Sequence, residues 1–381
     1  MTAFSLDPPA ERRRLVVVDA HGHAFRAFHA LGSMQAPDGR PVQAIYGLAG
    51  LLKRLVVDER WDYIAVVFDA PDDQRRTFRT GLYADYKAHR PERPVDLAIQ
   101  IPVLRDATRA MGLACLEHPD FEADDCIATI VAQAEAAAVE TTILSADKDL
   151  FQLVSQRTTV WDAMRGKRYD TAGVVEKLGV PPHLVADYLA LVGDASDNVP
   201  GVPGIGPKGA CTLLGTLGSL DAVYAALDTL PPREQKRLAE HRERAYLSRE
   251  LTRLRADVPL AARLPDLTPP PPHAIDTSLW SELGFDSLLR SLPPHLKRQD
   301  GARPRPAAPL TPPAPNPTAE SPFIPAPPAA VTAPAALAPA TESPLIPAPA
   351  ARPAAPPAPA PRKPAQLAFS FLDYERPPGP T

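Results

Sequence analysis

The chain has 381 residues, 45% hydrophobic and 23% charged, with a formal net charge of −4. That balance belongs to a soluble globular protein and excludes a uniformly basic nucleic-acid coat. No apolar run reaches the roughly 18 residues of a membrane helix, the N-terminal MTAFSLDPPAERRR has no apolar signal core, and three scattered cysteines (Cys115, Cys126, Cys211) suit a reducing cytoplasm rather than a disulfide or zinc framework.

Residues 1–13 read as an N-terminal extension. Three short runs rich in β-branched residues then predict buried strands: Leu15–Val18, Ile64–Phe68 and Thr141–Leu144. Helical patterns over 41–57, 95–111 and 122–138 lie between them. The alternation predicts an α/β domain over 14–180, a mostly parallel central sheet with helices on both faces. Strand signals stop near 180. Helical text at 181–192 and 207–215 flanks a Gly/Pro turn and continues to about 255, so 181–292 reads as a helical region. Its last amphipathic stretch, Leu279–Leu292, is expected to pack back on the body. Of 49 prolines, about 25 fall in the last 81 residues together with about 22 alanines. Proline blocks helix and central strand alike, so 293–381 reads as a disordered Pro/Ala-rich tail. It carries an approximate repeat (320–327 and 342–349) and an apolar island, Gln366–Leu372.

The acids carry the main chemical signal. Asp19, Asp69 and Asp147 follow the three strands, and in open α/β sheets ligands bind beyond the carboxyl ends of strands. Glu122, Asp124 and Asp125 open the helix at 122–138; Asp149 follows Asp147, and Asp194 and Asp197 follow the helix at 181–192. One such Asp is ordinarily a helix cap or turn former. All nine together are not, because like charges cannot converge without cations between them. Oxygen donors select hard divalent ions, and nine acids suit two ions about 4 Å apart, as in phosphodiester hydrolysis. His21 and His23 beside Asp19 read as supporting residues rather than ligands.

Residues 72–94 interleave Arg75, Arg76, Arg79, Lys87 and Arg90 with Phe78, Tyr83 and Tyr86. Tyr83, Lys87 and Arg90 would share one face of a helix ended by Pro91 and Pro94. A basic run alone is usually a solvated face; next to an acidic metal site, cations with aromatics suit a single strand, charge tracking phosphates and rings stacking on bases. Between the two helices, Gly201, Gly204, Gly206 and Lys208 form a turn whose backbone amides could approach a phosphate. The spacing fits neither the dinucleotide fingerprint nor the P-loop.

These motifs in this order resemble the 5′-3′ exonuclease and flap endonuclease family, including the 5′-nuclease domain of bacterial DNA polymerase I. The matching text is Val18-Asp19, Phe28-His29-Ala30, Val67-Phe68-Asp69, Phe78-Arg79, Tyr86-Lys87-Ala-His-Arg90, Met111-Gly112-Leu113, Glu122-Ala-Asp124-Asp125, Ala146-Asp147-Lys148-Asp149-Leu150, Gly193-Asp194-Ala-Ser-Asp197-Asn198 and Pro203–Lys208, over roughly 14–292. The resemblance implies a PIN-like fold followed by a helix-hairpin-helix, and metal-dependent hydrolysis of DNA and RNA-primer phosphodiesters at 5′ ends and 5′ flaps by a stand-alone, monomeric nuclease of replication and repair. It implies that Asp69, Glu122, Asp124 and Asp125 with Asp19 serve one ion, Mg²⁺ or Mn²⁺, and Asp147, Asp149, Asp194 and Asp197 a second. Lys87, supported by Arg90 and Arg79, would steady the scissile phosphate. Arg75, Arg76, Tyr83 and Tyr86 would hold the single strand under an arch at 72–94. Gly201, Gly204, Gly206 and Lys208 would grip duplex, with K⁺ at the hairpin. Ala20 and Gly209 depart from the family's usual Gly and Thr. The 366–372 island loosely resembles a sliding-clamp docking peptide. The alternative from another class is a non-catalytic DNA-junction binder recruiting partners through its tail, which would have no reason to keep nine mutually repelling carboxylates. An RNA-directed PIN nuclease usually lacks both arch and hairpin.

Overall fold

A computed structural model describes residues 13–59, 61–72, 74 and 76–296. Residues 1–12, Arg75, the Pro/Ala-rich tail and the 366–372 island lie outside the described residues.

The apolar run after Arg14 forms β1 (Arg14–Asp19), with Leu15 to Val18 fully buried. Leu15 and Val17 point into one core, Val16 and Val18 into another, as the period of two requires when both faces of a sheet are covered. Helix α1 (Ala20–Ala30) starts at once, because Asp19 caps it by accepting the Gly22 amide at 2.9 Å. Helix α2 (Gln43–Lys53) continues as a π turn over Arg54–Asp58, so the helix expected at 41–57 changes type before it ends. Strand β2 (Tyr63–Val67) then pairs with β1 in parallel.

Short helices α3 (Phe78–Leu82) and α4 (Val95–Ala98) precede α5 (Ile101–Ala110), β3 (Cys115–Leu116), α6 (Ala123–Ala136) and β4 (Glu140–Leu144). Strands β5 (Thr158–Asp162) and β6 (Lys167–Tyr169) complete a six-stranded sheet of order β3-β2-β1-β4-β5-β6, parallel except for the β5–β6 edge. Strands β3, β5 and β6 carry no clear local signal. Two residues are too few for a pattern, and Thr158 and Thr159 look polar although Thr158 is wholly buried.

Helices α1, α2 and α5 cover one face of the sheet and α6 the other. The helical continuation, α7 (Thr171–Leu178), α8 (Val185–Val192), α9 (Pro207–Leu217), α10 (Leu220–Ala225), α11 (Pro232–Glu240) and α12 (Arg242–Thr252), shares the α6-side core through residues such as Val185, Leu213, Leu238 and Ala245. The last helices, α13 (Ser278–Glu282) and α14 (Asp286–Ser291), return to the opposite face, where Trp280 and Phe285 are buried and Tyr46 meets Ser287 at 2.8 Å. Among the described residues no helix is long and apolar enough to cross a membrane.

Strand β1 lies between β2 and β4, so the chain leaves it in opposite directions on its two sides. That switch point opens a crevice beyond the carboxyl ends of the strands. Asp19 ends β1, Asp69 lies two residues past β2, and Asp147 three past β4.

Candidate metal centre

Asp19 is 8% exposed and accepts from Ser145 Oγ at 2.8 Å as well as from Gly22. Burial pushes its carboxyl up to about 6, with Asp147 and Asp69 adding to the rise against those hydrogen bonds. Asp69 accepts the Ala123 amide at 3.1 Å, which ties the end of β2 to the start of α6. Its own amide donates to His21 Nδ1 at 2.9 Å, so His21 orients Asp69 and is a supporting residue. His23 faces Gly47 O, and burial pushes it down to about 4.

Burial also raises Asp124, Asp147 and Asp149 above the usual carboxylate range. Asp147 and Asp19 add repulsion at Asp124, Asp197 does so at Asp147, and Asp147, Asp194 and Asp197 do so at Asp149. Asp147 thus joins two neighbouring acid groups, Asp19/Asp124 and Asp149/Asp194/Asp197. In the second, one oxygen from each residue lies within 4.8 Å of the others. Asp194 behaves oppositely: burial opposes its charge, but Lys148 at 2.7 Å and the Ser196 amide and hydroxyl hold its carboxyl below the usual range.

The donor set fits a hard divalent ion. It is all oxygen, it is repulsive without a cation, and the Asp149 Oδ1 atom is buried with no hydrogen-bond partner.

A cationic lid covers the acids. Lys87 Nζ donates to Glu122 Oε1 at 2.7 Å and lies 3.6 Å from Asp197. Burial works against the ammonium, but Glu122 and Asp197 outweigh it and raise the pKa of Lys87. Arg90 Nη2 meets Asp197 at 2.5 Å while its side chain stays half exposed.

Four expectations need correction. Residues 84–89 form turns rather than a helix, with Lys87 at φ 58°, closed by three-residue backbone bonds of their own and by the Lys87 amide on Asp197 O of the 194–199 loop. Arg79 is not a cation facing substrate. It is 1% exposed, bonded to Asp125 at 2.5 and 2.9 Å and to the carbonyls of Leu251 and Arg253. Asp125, 0% exposed, also accepts the Arg255 amide, so its oxygens anchor the helical region rather than face an ion. Tyr86 is buried and donates to Glu122 Oε2 at 3.0 Å, so its ring is not offered to a base; Tyr83 is half buried beside it.

The hairpin divides similarly. Gly201 is buried, its amide donates to Ser248 Oγ, and at φ 58° a Cβ would meet Gly193 N at 2.4 Å, so it is a packing glycine rather than a phosphate ligand. Gly204 accepts Arg237 Nη1 at 3.0 Å through its carbonyl. Gly206 and Lys208 are exposed at the start of α9, and Arg76 is exposed at the base of the arch segment. Sequence reasoning missed Ser145, Lys148 and Ser196. A hydroxyl beside each acid and a lysine between two aspartates were the available signals.

Residues 14–179 match the 5′-3′ exonuclease N-terminal resolvase-like domain, and residues 180–274 the 5′-3′ exonuclease C-terminal SAM fold. The chain belongs to the 5′-3′ exonuclease family. A 5′-3′ exonuclease of Aquifex aeolicus is 38% identical over 258 residues, 67% of this chain and 86% of the relative. DNA polymerase I of Rhizobium leguminosarum is 44% identical over 255 residues, 65% of this chain but 25% of the polymerase. The chain thus spans only a quarter of that polymerase. Among solved structures, T5 5′-exonuclease with bound zinc ions superposes at a TM-score of 0.52 with 22% identity, covering 63% of this chain and 89% of the T5 protein, which places this exonuclease-family chain in the same fold.

Proposed function

We propose that the chain hydrolyses DNA phosphodiesters at 5′ ends and 5′-flap junctions, RNA primers included, in replication and repair. The observation that carries this reading is the meeting of two acid groups at the sheet's switch point, beside one lysine. Asp19, Asp69, Glu122 and Asp124 would hold one divalent ion, and Asp147, Asp149, Asp194 and Asp197 a second, Mg²⁺ or Mn²⁺ in either place. Bound ions supply Lewis acidity at the phosphoryl oxygens and lower the pKa of a water.

The protein's own part is alignment. Ser145 and Gly22 fix the Asp19 carboxylate, and His21 and Ala123 fix Asp69. Lys87, drawn from Glu122 toward a non-bridging oxygen, would offset charge developing on the scissile phosphate. Arg90 holds Asp197 and keeps Lys87 beside it. Arg76 and Tyr83 would receive the single strand, while the α9 amides with Gly206 and Lys208 would take a duplex phosphate without reading sequence. A K⁺ ion at the hairpin carbonyls, a monomeric working state, a cytoplasmic, nucleoid-associated location and docking of 366–372 on a sliding clamp belong to the same reading and rest on the family resemblance alone.

The test uses a labelled 5′-flap duplex with Mg²⁺. The wild-type chain releases the flap, whereas Asp147→Asn/Asp197→Asn binds the duplex and does not cut. Undiminished cleavage by that variant, or binding without cleavage by the wild type, would reject hydrolysis at this centre.

A further inference from the structure

The segment 83–90 and the loop 194–199 touch at points that no ion explains. The loop is closed by a pair of backbone bonds between Asp194 and Val199 (2.9 and 2.8 Å). It displays the Asp194 and Asp197 carboxylates on one side, and Asn198 ends it at φ 56°. Only two other described non-glycine residues have positive φ, and one of them is Lys87 at 58°. Asparagine tolerates this left-handed conformation better than most residues.

One left-handed residue lies on each side of the contact, and each donates one hydrogen bond across it. Asn198 Nδ2 donates to Asp85 O at 2.7 Å, and Lys87 N donates to Asp197 O at 3.0 Å. Val199 packs with Tyr86 and Leu251 directly behind them. One side-chain amide therefore stitches the turn that bears Lys87 to the loop that bears two acids.

We propose that Asn198 is a positioning residue for phosphodiester cleavage, setting the register between the Lys87 ammonium and the Asp194/Asp197 carboxylates. This rests on the proposed role of Lys87 at the scissile phosphate. Its physical basis is that Lys87 has a long flexible stem, so its tip is placed only as well as its backbone is. Without the Asn198–Asp85 bond, the turn keeps the single Lys87–Asp197 backbone bond to this loop and the contacts of Tyr86 and Arg90. A displacement of about 1 Å in such a group costs on the order of a hundredfold in rate.

The experiment compares Asn198→Gly, which keeps the left-handed backbone and removes the amide, with Asn198→Asp, which keeps the size and turns the donor into an acceptor facing a carbonyl. Both should lower kcat on a 5′-flap duplex by about ten- to a hundredfold with little change in KM. In a Lys87→Ala background Asn198→Gly should cost nothing more, whereas a merely structural role would multiply the two losses. A second measurement needs no activity: limited trypsin digestion should cut after Lys87 faster in both variants, at unchanged melting temperature. Wild-type kcat together with wild-type digestion would overturn the inference, as would multiplying losses. If the wild-type chain does not cleave, the reading of function fails, and the digestion rates alone decide whether Asn198 holds the turn.

Discussion

Lys87 Nζ stands 2.7 Å from Glu122 Oε1, the residue that caps α6. The cation of the arch segment is thus held by a carboxylate of the acid centre. Lys87→Ala should reduce kcat on flap DNA by about a hundredfold, the usual cost of removing one donor from a developing oxyanion. Duplex affinity, which the proposed function assigns to the start of α9, should change little. Single-turnover cleavage and a binding titration with Ca²⁺ in place of Mg²⁺ separate the two.

Arg79 and Asp125 form the opposite kind of pair, fully enclosed and far from water. Removing one partner leaves a buried charge, so Arg79→Ala should lose about 3–5 kcal/mol of stability. Arg79→Lys should recover little, because a point charge cannot reproduce the two-pronged contact or reach the Leu251 and Arg253 carbonyls. Urea denaturation measures both. Loss of activity at full stability would contradict the anchoring role.

Asp19 makes stability depend on pH in a definite direction. Its folded-state pKa, pushed up to about 6 from 3.8 by burial, exceeds the unfolded value. Between those values the folded chain binds more protons than the unfolded one, so this group's contribution to stability falls as pH rises through the window and stays low above it. Asp19→Asn removes the charge while leaving an acceptor for Gly22. In EDTA the variant should exceed the wild type by about 3 kcal/mol at pH 7 and lose most of that advantage near pH 4. Thermal melts from pH 4 to 8 check this. With excess Mg²⁺ the wild type should recover stability at pH 7 and the variant less so, since an ion that binds only the folded chain stabilises it.

Two hairpin glycines should behave differently. Gly201→Ala drives a Cβ against Gly193 N and Val192 C at 2.4 and 2.6 Å, so backbone must move, and a loss of about 2 kcal/mol or more is expected. At Gly206 a Cβ meets nothing within 4 Å, so Gly206→Ala should melt like the wild type. Any effect it has will appear as weaker duplex binding. Calorimetry and a salt titration of duplex affinity distinguish the two.

The sequence by itself determined where the carboxylates would be. A continuously apolar strand followed by Asp places that Asp at the carboxyl edge of a parallel sheet, as at Asp19, Asp69 and Asp147. It also determined the alternation of strand and helix and the helical continuation, because both follow from local periodicity. What each residue touches was decided by tertiary structure. Asp124 and Asp125 are neighbours in one acidic motif, yet the helical period turns the first toward Asp19 and Asp147 and the second toward Arg79. The spacing puts Tyr83, Lys87 and Arg90 on one helical face, but docking on Asp197 and Asn198 goes with turns in which Lys87 is left-handed, the Tyr86 ring is buried and the Lys87 amine meets Glu122. Gly201 and Gly206 look alike in the text and part only when α12 brings Ser248 against the first. Period and composition are properties of neighbours in the chain, whereas partners are supplied by segments about 40 to 170 residues away, and only the packed sheet and helices choose them.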